Sequence, residues 1–203
     1  MADLVKITIE NHVADVRLNR PEKYNALNPD MFHAIVEAGK SLMRDTRVRA
    51  VVISGEGRGF CAGLDFQGFA EMGEKGGIDL MHRSPGQAAN HAQLPGMIWK
   101  QVPVPVIAAM HGVAFGGGLQ IALGADIRLA APDTRMSVME IKWGIIPDMS
   151  ATQTLRDLVR LDVAKELTFS GRIVEAAEAA RLGLVTRVCE ETLAEAHQMA
   201  AYF

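Results

Sequence analysis

The sequence predicts an α/β protein, in which strands and helices are mixed throughout a chain of 203 residues. Residues Val5–Glu10 and Val13–Asn19 alternate apolar and polar side chains with a period of two, which is typical of a pair of half-buried strands. Ala50–Ser54 and Val104–Met110 are continuous apolar runs, as in buried strands. From Ala151 to Phe203, helical patterns dominate.

The first helix has a clear start signal at Asn28-Pro29-Asp30. Asn28 is a suitable N-cap, and Pro29 suits the first helical position because its fixed φ matches the helix. Apolar residues then recur at helical spacing, and these are Met31, Ile35, Ala38 and Leu42. The pattern predicts an amphipathic helix that covers one side of the strands.

The later elements are less regular. Residues Gly68–Gly86 mix Gly, Lys, Glu and Met with weak periodicity, and we expect a mobile loop with some helix, of the kind that often forms a lid. Leu119–Leu123 is a predicted helix, and Asp126–Ala131 and Met136–Val138 are predicted short strands. Within the helical last part, Leu184–Val188 has the composition of a strand.

The overall composition excludes several classes of function. The net charge is −3 and no run of Lys and Arg is present, so nothing indicates a nucleic-acid partner. Cys61 and Cys189 form neither a disulfide framework nor a metal-ligand pattern. The first residues do not resemble a secretory signal, and no apolar stretch reaches the roughly 20 residues that span a bilayer. We therefore expect a cytoplasmic protein without a membrane partner.

The segment Gly59-Phe60-Cys61-Ala62-Gly63-Leu64-Asp65 follows a buried strand and admits four interpretations. It could be a nucleophile elbow with Cys61 as the nucleophile. The glycines from Gly55 to Gly59 could form a dinucleotide loop, although their spacing is wrong. It could be a plain glycine-rich turn. Finally, it could be a turn whose bare backbone N–H groups face a ligand, since small residues let a substrate approach the main chain.

Two further motifs could carry chemistry. Gly116-Gly117-Gly118 joins a predicted buried strand to a helix, where glycines favour either an anion site or tight packing of helix against sheet. Glu140 and Asp148 lie in a largely apolar stretch. Such a carboxylate is either an ion-paired structural residue or a proton carrier whose pKa is raised by desolvation.

Together, these motifs resemble the enoyl-CoA hydratase/isomerase family, also called the crotonase superfamily. The resemblance covers nearly the whole chain, and the order and spacing of the motifs match. The matching segments are Leu18–Pro21, Asn25–Asn28, Phe60–Asp65, Pro105–Ala109, Gly116–Gly118, Glu140–Pro147, Phe169–Arg172, Ala177–Ala180 and Gly183–Val185.

The resemblance implies a crotonase-like spiral of ββα units with a helical C-terminal region. We expect residues 1–150 to form the crotonase core, with the oxyanion hole and the catalytic carboxylate. Residues 151–203 would form the helical region, which we expect to be incomplete at its end because the last helix stops without a cap signal.

By motif position, the resemblance places the two N–H groups of the oxyanion hole on Leu64 and Gly117. Such donors stabilise the negative charge that a thioester oxygen gains in an enolate. The CoA moiety is expected along Ala26 and Ala62, with Lys23 near its phosphates. Asp65 and Gly116 complete the predicted set of CoA- and substrate-binding residues.

The catalytic positions depart from the family pattern. The second carboxylate of the hydratase pair corresponds to Glu140, but the first corresponds to Gln120. Asp148 matches the position of an aspartate in dienoyl-CoA isomerases. An enzyme with one carboxylate favours double-bond isomerisation, with Glu140 as the proton shuttle. The alternatives are an enoyl-CoA hydratase and, in another class, a non-catalytic acyl-CoA-binding or scaffold protein.

The resemblance also indicates partners. A coenzyme A thioester is the expected substrate, and no permanently bound cofactor and no metal are implied. The six His residues show no close-spaced ligand pattern. A homotrimer or a dimer of trimers is the expected assembly.

Overall fold

The computed structural model describes residues 3–68 and 79–203. The strands in these residues are β1 Val5–Glu10, β2 Val13–Leu18, β3 Ala50–Gly55, β4 Val106–Met110, β5 Val113–Phe115, β6 Ile127–Ala130, β7 Arg135–Ser137, β8 Val174–Glu175 and β9 Arg187–Val188. The α-helices are α1 Pro29–Leu42, α2 Leu94–Met97, α3 Gly117–Leu123, α4 Ala151–Leu158, α5 Leu161–Ser170, α6 Ala176–Leu182 and α7 Thr192–Ala200. Short 3₁₀ helices are formed by Pro21–Lys23, Ile98–Gln101 and Glu140–Trp143.

The strands form two sheets. The larger sheet has the order β1-β2-β3-β4-β6-β9 and is parallel except for the β1–β2 hairpin. The smaller sheet has the order β5-β7-β8, with β7 and β8 antiparallel. Strands β4 to β7 therefore alternate between the sheets, since β4 and β6 join the large sheet while β5 and β7 join the small one. This alternation, with a helix after β5, confirms the predicted α/β spiral of ββα units.

Both faces of the central strands are buried, which explains their unbroken apolar sequences. Val51, Ile53 and Ala108 face the main core beneath α1, whereas the intervening residues face the opposite way. On that opposite face, Ala196 and Ala200 of α7 pack over the sheet. The small alanine side chains let the helix backbone approach the strands closely.

Helix α1 begins as the sequence predicts. The side-chain oxygen of Asn28 accepts a hydrogen bond from the Met31 N–H at 2.9 Å, and Pro29 occupies the first helical position. The four residues predicted to form its apolar face, Met31, Ile35, Ala38 and Leu42, are all buried. The N-cap and the amphipathic pattern together fix where α1 starts and which face it buries.

Some sequence predictions need correction. The strand expected at Leu184–Val188 is confined to Arg187–Val188, because Leu184 packs into the core as part of a bend. Strand β8 at Val174–Glu175 and helix α2 at Leu94–Met97 were not predicted. Most of the predicted loop Gly68–Gly86 lies outside the described residues.

The helical last quarter shares the core of the preceding residues. Ala151, Leu155, Leu167 and Ala179 belong to the same buried cluster as strands β3 and β4. Among the described residues, no helix combines the length and apolar character needed to span a membrane.

Asn25 fastens the chain before α1 to the turn after β3. Its fully buried amide nitrogen donates to the carbonyls of Glu56, Gly59 and Phe60 at 3.0, 2.9 and 3.2 Å. Its amide oxygen accepts from the Arg20 N–H at 2.8 Å. Asn25 has a φ of 56°, a left-handed conformation that Asn tolerates better than most residues. One side chain therefore binds four backbone groups of two separate segments.

We predict that Asn25→Ala lowers the free energy of unfolding by about 3 kcal/mol, because it leaves buried backbone groups unpaired. Asn28→Ala is the matched control. It removes one N-cap bond and should cost only about 1 kcal/mol. Urea unfolding followed by circular dichroism measures both. Equal losses in the two variants would contradict the role given to Asn25.

Candidate active site

The turn at Gly59–Leu64 is held against β5 by the backbone of Cys61. The Cys61 N–H donates to the Val113 carbonyl at 3.0 Å, and the Phe115 N–H donates to the Cys61 carbonyl at 3.0 Å. These bonds form an isolated parallel bridge between Cys61 and Ala114. The turn after β3 and the glycines after β5 are therefore brought side by side.

At each position of the Gly116–Gly118 motif, a different contact explains why the residue is glycine. Gly116 has a φ of 50°, and a Cβ there would lie 3.2 Å from Oε1 of Glu140. A Cβ on Gly117 would lie 2.7 Å from the Met149 sulfur, and one on Gly118 would overlap the Cys61 carbonyl oxygen. Tight packing therefore selects glycine at two positions, and the third lets the chain pass close to the carboxylate.

The N–H groups of Leu64 and Gly117 donate no hydrogen bond within the described residues. Leu27 forms backbone hydrogen bonds with both neighbours of Leu64. The Leu27 N–H donates to the Gly63 carbonyl, and the Leu27 carbonyl accepts from the Asp65 N–H. The N–H of Leu64 consequently points away from Leu27, and within the described residues it has no acceptor. The N–H of Gly117, at the start of α3, also has no acceptor in the described parts of the chain.

The turn that carries Leu64 lies close to the Gly117 N–H. A Cβ built on Gly63, which has a φ of 90°, would come within 3.6 Å of the Gly117 nitrogen. Leu64 and Gly117 both line a cleft of about 530 Å³ together with Gln120, Glu140 and Asp148. Its walls are otherwise mainly apolar, with Phe32, Leu80, Met81, Ala92, Ile145, Ile146 and Met149. An adjoining pocket of about 120 Å³ is lined by Ala62, Gly116 and Glu140 among others.

Glu140 opens a 3₁₀ helix and is 6% exposed. Its Oε1 accepts a hydrogen bond from Nε2 of Gln120 at 2.6 Å, whereas its buried Oε2 has no partner among the described residues. Burial raises the pKa of Glu140, and the charge of Asp148 raises it further, against the opposing effect of hydrogen bonds from Gln120 and nearby backbone. A carboxyl group with one bare oxygen and a raised pKa can accept and return a proton.

Gln120 is bound at both ends. Its side chain is 1% exposed, and its Oε1 accepts a hydrogen bond from the Ala151 N–H at 2.9 Å. Its Nε2 donates to Glu140. Gln120 thus connects Glu140 on one side to the first residue of α4 on the other.

Asp148 is half-buried and lines the same cleft as Glu140. The segment between them, Ile141–Ile146, is exposed, and the ring of Trp143 contacts that of Phe66 with centroids 4.4 Å apart. Phe66 and Trp143 line the mouth of the smaller pocket. Sequence reasoning missed this aromatic pair, because its members are 77 residues apart in the chain.

Two of the interpretations left open for the Gly59–Asp65 segment are wrong. Cys61 is fully buried, its thiol donates to the Asn25 carbonyl at 3.1 Å, and burial raises its pKa to about 12. It is therefore no nucleophile, since the thiolate is the reactive form. A dinucleotide loop would lead directly into a helix, whereas Gly59 leads into the Cys61 bridge.

The residues predicted to bind CoA lie around the two turns. Ala62 lines the smaller pocket, whereas Lys23 is exposed at the end of a 3₁₀ helix. The carbonyl of Ala26 accepts from Arg20 at 3.0 Å. The Asp65 carboxylate is bound by Arg20 at 2.7 Å and by the Gly68 N–H at 3.2 Å. Although burial opposes it, these bonds lower the pKa of Asp65.

Arg20 and Asn25 belong to motifs that carried the resemblance, but the sequence alone assigned them no role. The structure shows that both support the turns of the site through buried or half-buried hydrogen bonds. In the described residues, no group of three or more His, Cys, Asp or Glu side chains could hold a metal ion.

The chain belongs to the enoyl-CoA hydratase/isomerase family, whose model matches residues 8–202. It is 35% identical over 193 residues to the mitochondrial Δ(3,5)-Δ(2,4)-dienoyl-CoA isomerase of Mus musculus, covering 90% of this chain and 57% of that protein. It is 36% identical over 189 residues to the short-chain-enoyl-CoA hydratase of Clostridium acetobutylicum, covering 89% of this chain and 67% of that protein. The chain therefore spans little more than half the length of the mouse isomerase.

Solved structures agree on the fold. The enoyl-CoA hydratase of Bacillus anthracis superposes with a TM-score of 0.86 at 28% identity, covering 98% of this chain and 76% of that one. Both hydratases and an isomerase thus stand among the relatives, and family membership alone does not separate the two reactions.

We predict that Glu140→Gln stabilises the protein more at pH 8 than at pH 5. The pKa of Glu140 is raised above its ordinary value of 4.5, so the folded state holds this proton more tightly than the unfolded state. Its contribution to stability is complete below pH 4.5 and is lost as the pH rises through the folded pKa. The substituted amide has no proton to lose in this range and keeps an oxygen for Gln120. Urea unfolding across this pH range gives the difference.

Glu37→Gln is the control with the opposite sign. Glu37 is exposed, and its hydrogen bond to Lys40 lowers its pKa, so its contribution is present at neutral pH and lost as the pH falls. If the difference in free energy of unfolding between wild type and Glu140→Gln does not vary with pH, the pKa of Glu140 is not raised in the folded protein.

Proposed function

We propose that this protein is an acyl-CoA enzyme that forms a thioester enolate and moves a proton with Glu140. The observation that carries the proposal is that Glu140, Leu64 and Gly117 line one cleft. Within the described residues, Oε2 of Glu140 has no hydrogen-bond partner and the two backbone N–H groups have no acceptor. Two donors and one proton acceptor around an apolar cleft are the groups that enolate formation requires.

In the proposed reaction, the thioester oxygen accepts hydrogen bonds from Leu64 and Gly117. Oε2 of Glu140 removes a proton from a substrate carbon next to the thioester group. The electron pair of the broken C–H bond then moves onto the thioester oxygen, which gives the enolate. The two N–H groups stabilise this charge, and each such donor typically contributes about 3–4 kcal/mol. When Glu140 returns the proton to another carbon, the enolate collapses and the double bond has moved.

Isomerisation is favoured over hydration by the contacts of Gln120. Both polar ends of its amide are engaged by protein groups, and an amide cannot deprotonate water at neutral pH. Asp148 is the available second acid or base, since it lines the cleft beside Glu140. The bare oxygen of Glu140 also argues against a purely acyl-CoA-binding role, because burying an unpaired polar atom is costly.

The proposed CoA site uses the outer face of the two turns. The thioester end would lie over Ala62 and Gly116 in the smaller pocket, and the rest of the CoA moiety would follow Ala26 toward Lys23. Lys23 is exposed, so its ammonium group can meet a phosphate at the surface. Asp65 would act here through Arg20, by holding the turn rather than by touching phosphate.

Glu140→Gln should lower kcat on the isomerised enoyl-CoA by about 10²–10⁴-fold. KM should change little, because the amide keeps the shape of the side chain and its acceptor for Gln120. Steady-state rates with a 3-enoyl-CoA, followed by the growth of the conjugated thioester absorbance, measure both constants. A variant that keeps most of its kcat would mean that Glu140 is structural.

Gln120→Glu should raise hydration of a 2-enoyl-CoA relative to isomerisation, by about tenfold or more. The new carboxylate would lie beside Glu140 and share a proton with it, so one of the two could activate a water. The measurement compares crotonyl-CoA hydration by wild type and variant, followed by loss of the conjugated absorbance.

Wild type is expected to be a poor hydratase in that comparison. A wild-type kcat/KM of about 10⁵ M⁻¹s⁻¹ or more for hydration would show that one carboxylate suffices and that hydratase is the better description. If both proteins are slow and the variant gains nothing, Gln120 does not limit hydration.

The protein is also proposed to form a trimer or a dimer of trimers. The 3₁₀ helix Glu140–Trp143 packs against helix α5. Large apolar side chains are exposed on or beside these two helices, and they are Ile141, Trp143, Leu161, Phe169 and Ile173. Such exposure is typical of a surface that another subunit covers. Light scattering at micromolar concentration should give three or six times the chain mass, and a monomer mass would contradict the proposal.

A further inference from the structure

The amide of Gln120 has only one possible orientation. A backbone N–H can donate but not accept, so the atom that faces the Ala151 N–H at 2.9 Å is the amide oxygen. The amide nitrogen must then face Glu140, at 2.6 Å from Oε1. The direction of the whole chain of bonds, from Ala151 through Gln120 to Glu140, is set by the backbone.

The backbone that presents the Ala151 N–H is unusual. Ser150 precedes it with a φ of 93°, a conformation that residues other than glycine rarely adopt. Its hydroxyl is buried without a hydrogen-bond partner among the described residues. A Cβ on Gly96 would overlap the Met149 carbonyl oxygen, so α2 packs tightly against this turn. Strained residues of this kind persist where their surroundings hold them, and they occur often at functional sites.

We propose that Gln120 is a positioning residue for Glu140, whose amide occupies Oε1 and confines the transferable proton to Oε2. The inference rests on the proposed function of Glu140 as the proton carrier. A proton on Oε1 would face the N–H of Gln120, which is also a donor, so this protonated form is unfavourable. Oε2 alone has room for the proton, since no described group binds it.

The proton inventory of a turnover is then simple. Oε2 gains the proton that leaves the substrate carbon, and the same atom gives it up to the second carbon. Oε1 stays bound to Gln120 throughout, so the carboxyl group does not rotate between the two steps. Asp148 carries a charge that raises the pKa of Glu140, whereas Gln120 on α3 and the Ala151 N–H at the start of α4 are uncharged.

The test follows the Glu140 carboxyl carbon by NMR as the pH is changed, in protein labelled at glutamate carboxyls and free of ligand. Glu140→Gln identifies the signal. Gln120→Met keeps the length of the side chain and removes the N–H donor that stabilises the carboxylate. We expect its titration midpoint to move to higher pH by about one pH unit, and the acid-side limb of kcat/KM to move with it. Ile121→Val, also buried on α3, should leave the midpoint where it is in wild type.

Gln120→Glu is the second variant, and it tests the same contact with Glu140 if Gln120→Met does not fold. Its oxygen can still accept from Ala151, but a carboxylate then faces Glu140, and the two should titrate in two coupled steps with one above the wild-type midpoint. An unchanged midpoint in Gln120→Met, or independent titration in Gln120→Glu, would overturn the inference. Absence of turnover by wild type would instead defeat the proposed function, and the titration does not depend on it.

Discussion

The site depends on the pairing of one residue, Cys61, with strand β5. Through its N–H and its carbonyl, Cys61 fixes the turn after β3 against the strand that leads into α3. Leu64 lies three residues after Cys61 in the turn, and Gly117 lies two residues after Phe115, the last residue of β5. Without this bridge the two bare N–H groups would belong to independent loops. With it, backbone hydrogen bonds hold the two turns side by side, and the side chains of Asn25 and Arg20 add support.

The burial of Cys61 and the packing around it show how closely that geometry is specified. Gly118 lies against the Cys61 carbonyl and side chain, so that a single added methyl group would push the turn away from α3. Asn25 ties the same turn to the segment before α1. A preorganised pair of donors stabilises a developing charge without rearranging, and this is the role proposed for Leu64 and Gly117.

Two opposed effects determine the pKa of Glu140. Burial favours its neutral form, whereas the Gln120 hydrogen bond favours the carboxylate. Burial is the larger effect, and a carboxyl group whose pKa is raised toward the working pH is better suited to transfer a proton in both directions. A second carboxylate in place of Gln120 would shift this balance further, because two neighbouring carboxylates raise the pKa of one of the pair.

Much of the fold could be predicted, because it rests on local signals. The period-two pattern located β1 and β2, and the Asn28 cap with Pro29 located the start of α1. The helix that begins at Gly117 starts two residues earlier than its apolar run indicated, because glycine hides the pattern. The short strands β8 and β9 were missed or misplaced, since two residues carry no periodicity and are fixed by pairing with β7 and β6. For the candidate site, the motifs indicated Leu64, Gly117 and Glu140, which line one cleft in the structure, while the roles given to them stay predictions. The sequence could not show the state of Gln120, because its partners lie 20 and 31 residues away and one of them is a backbone N–H.

The most direct measurement of the central claim is exchange of the α-protons of butyryl-CoA in D₂O, followed by proton NMR. Butyryl-CoA is saturated, so it can be neither hydrated nor isomerised, and exchange reports enolate formation alone. The account predicts that wild type catalyses the exchange and that Glu140→Gln does not, while both bind the ester. Binding by wild type without exchange would contradict the claim that the Leu64 and Gly117 N–H groups and Glu140 act together on a thioester.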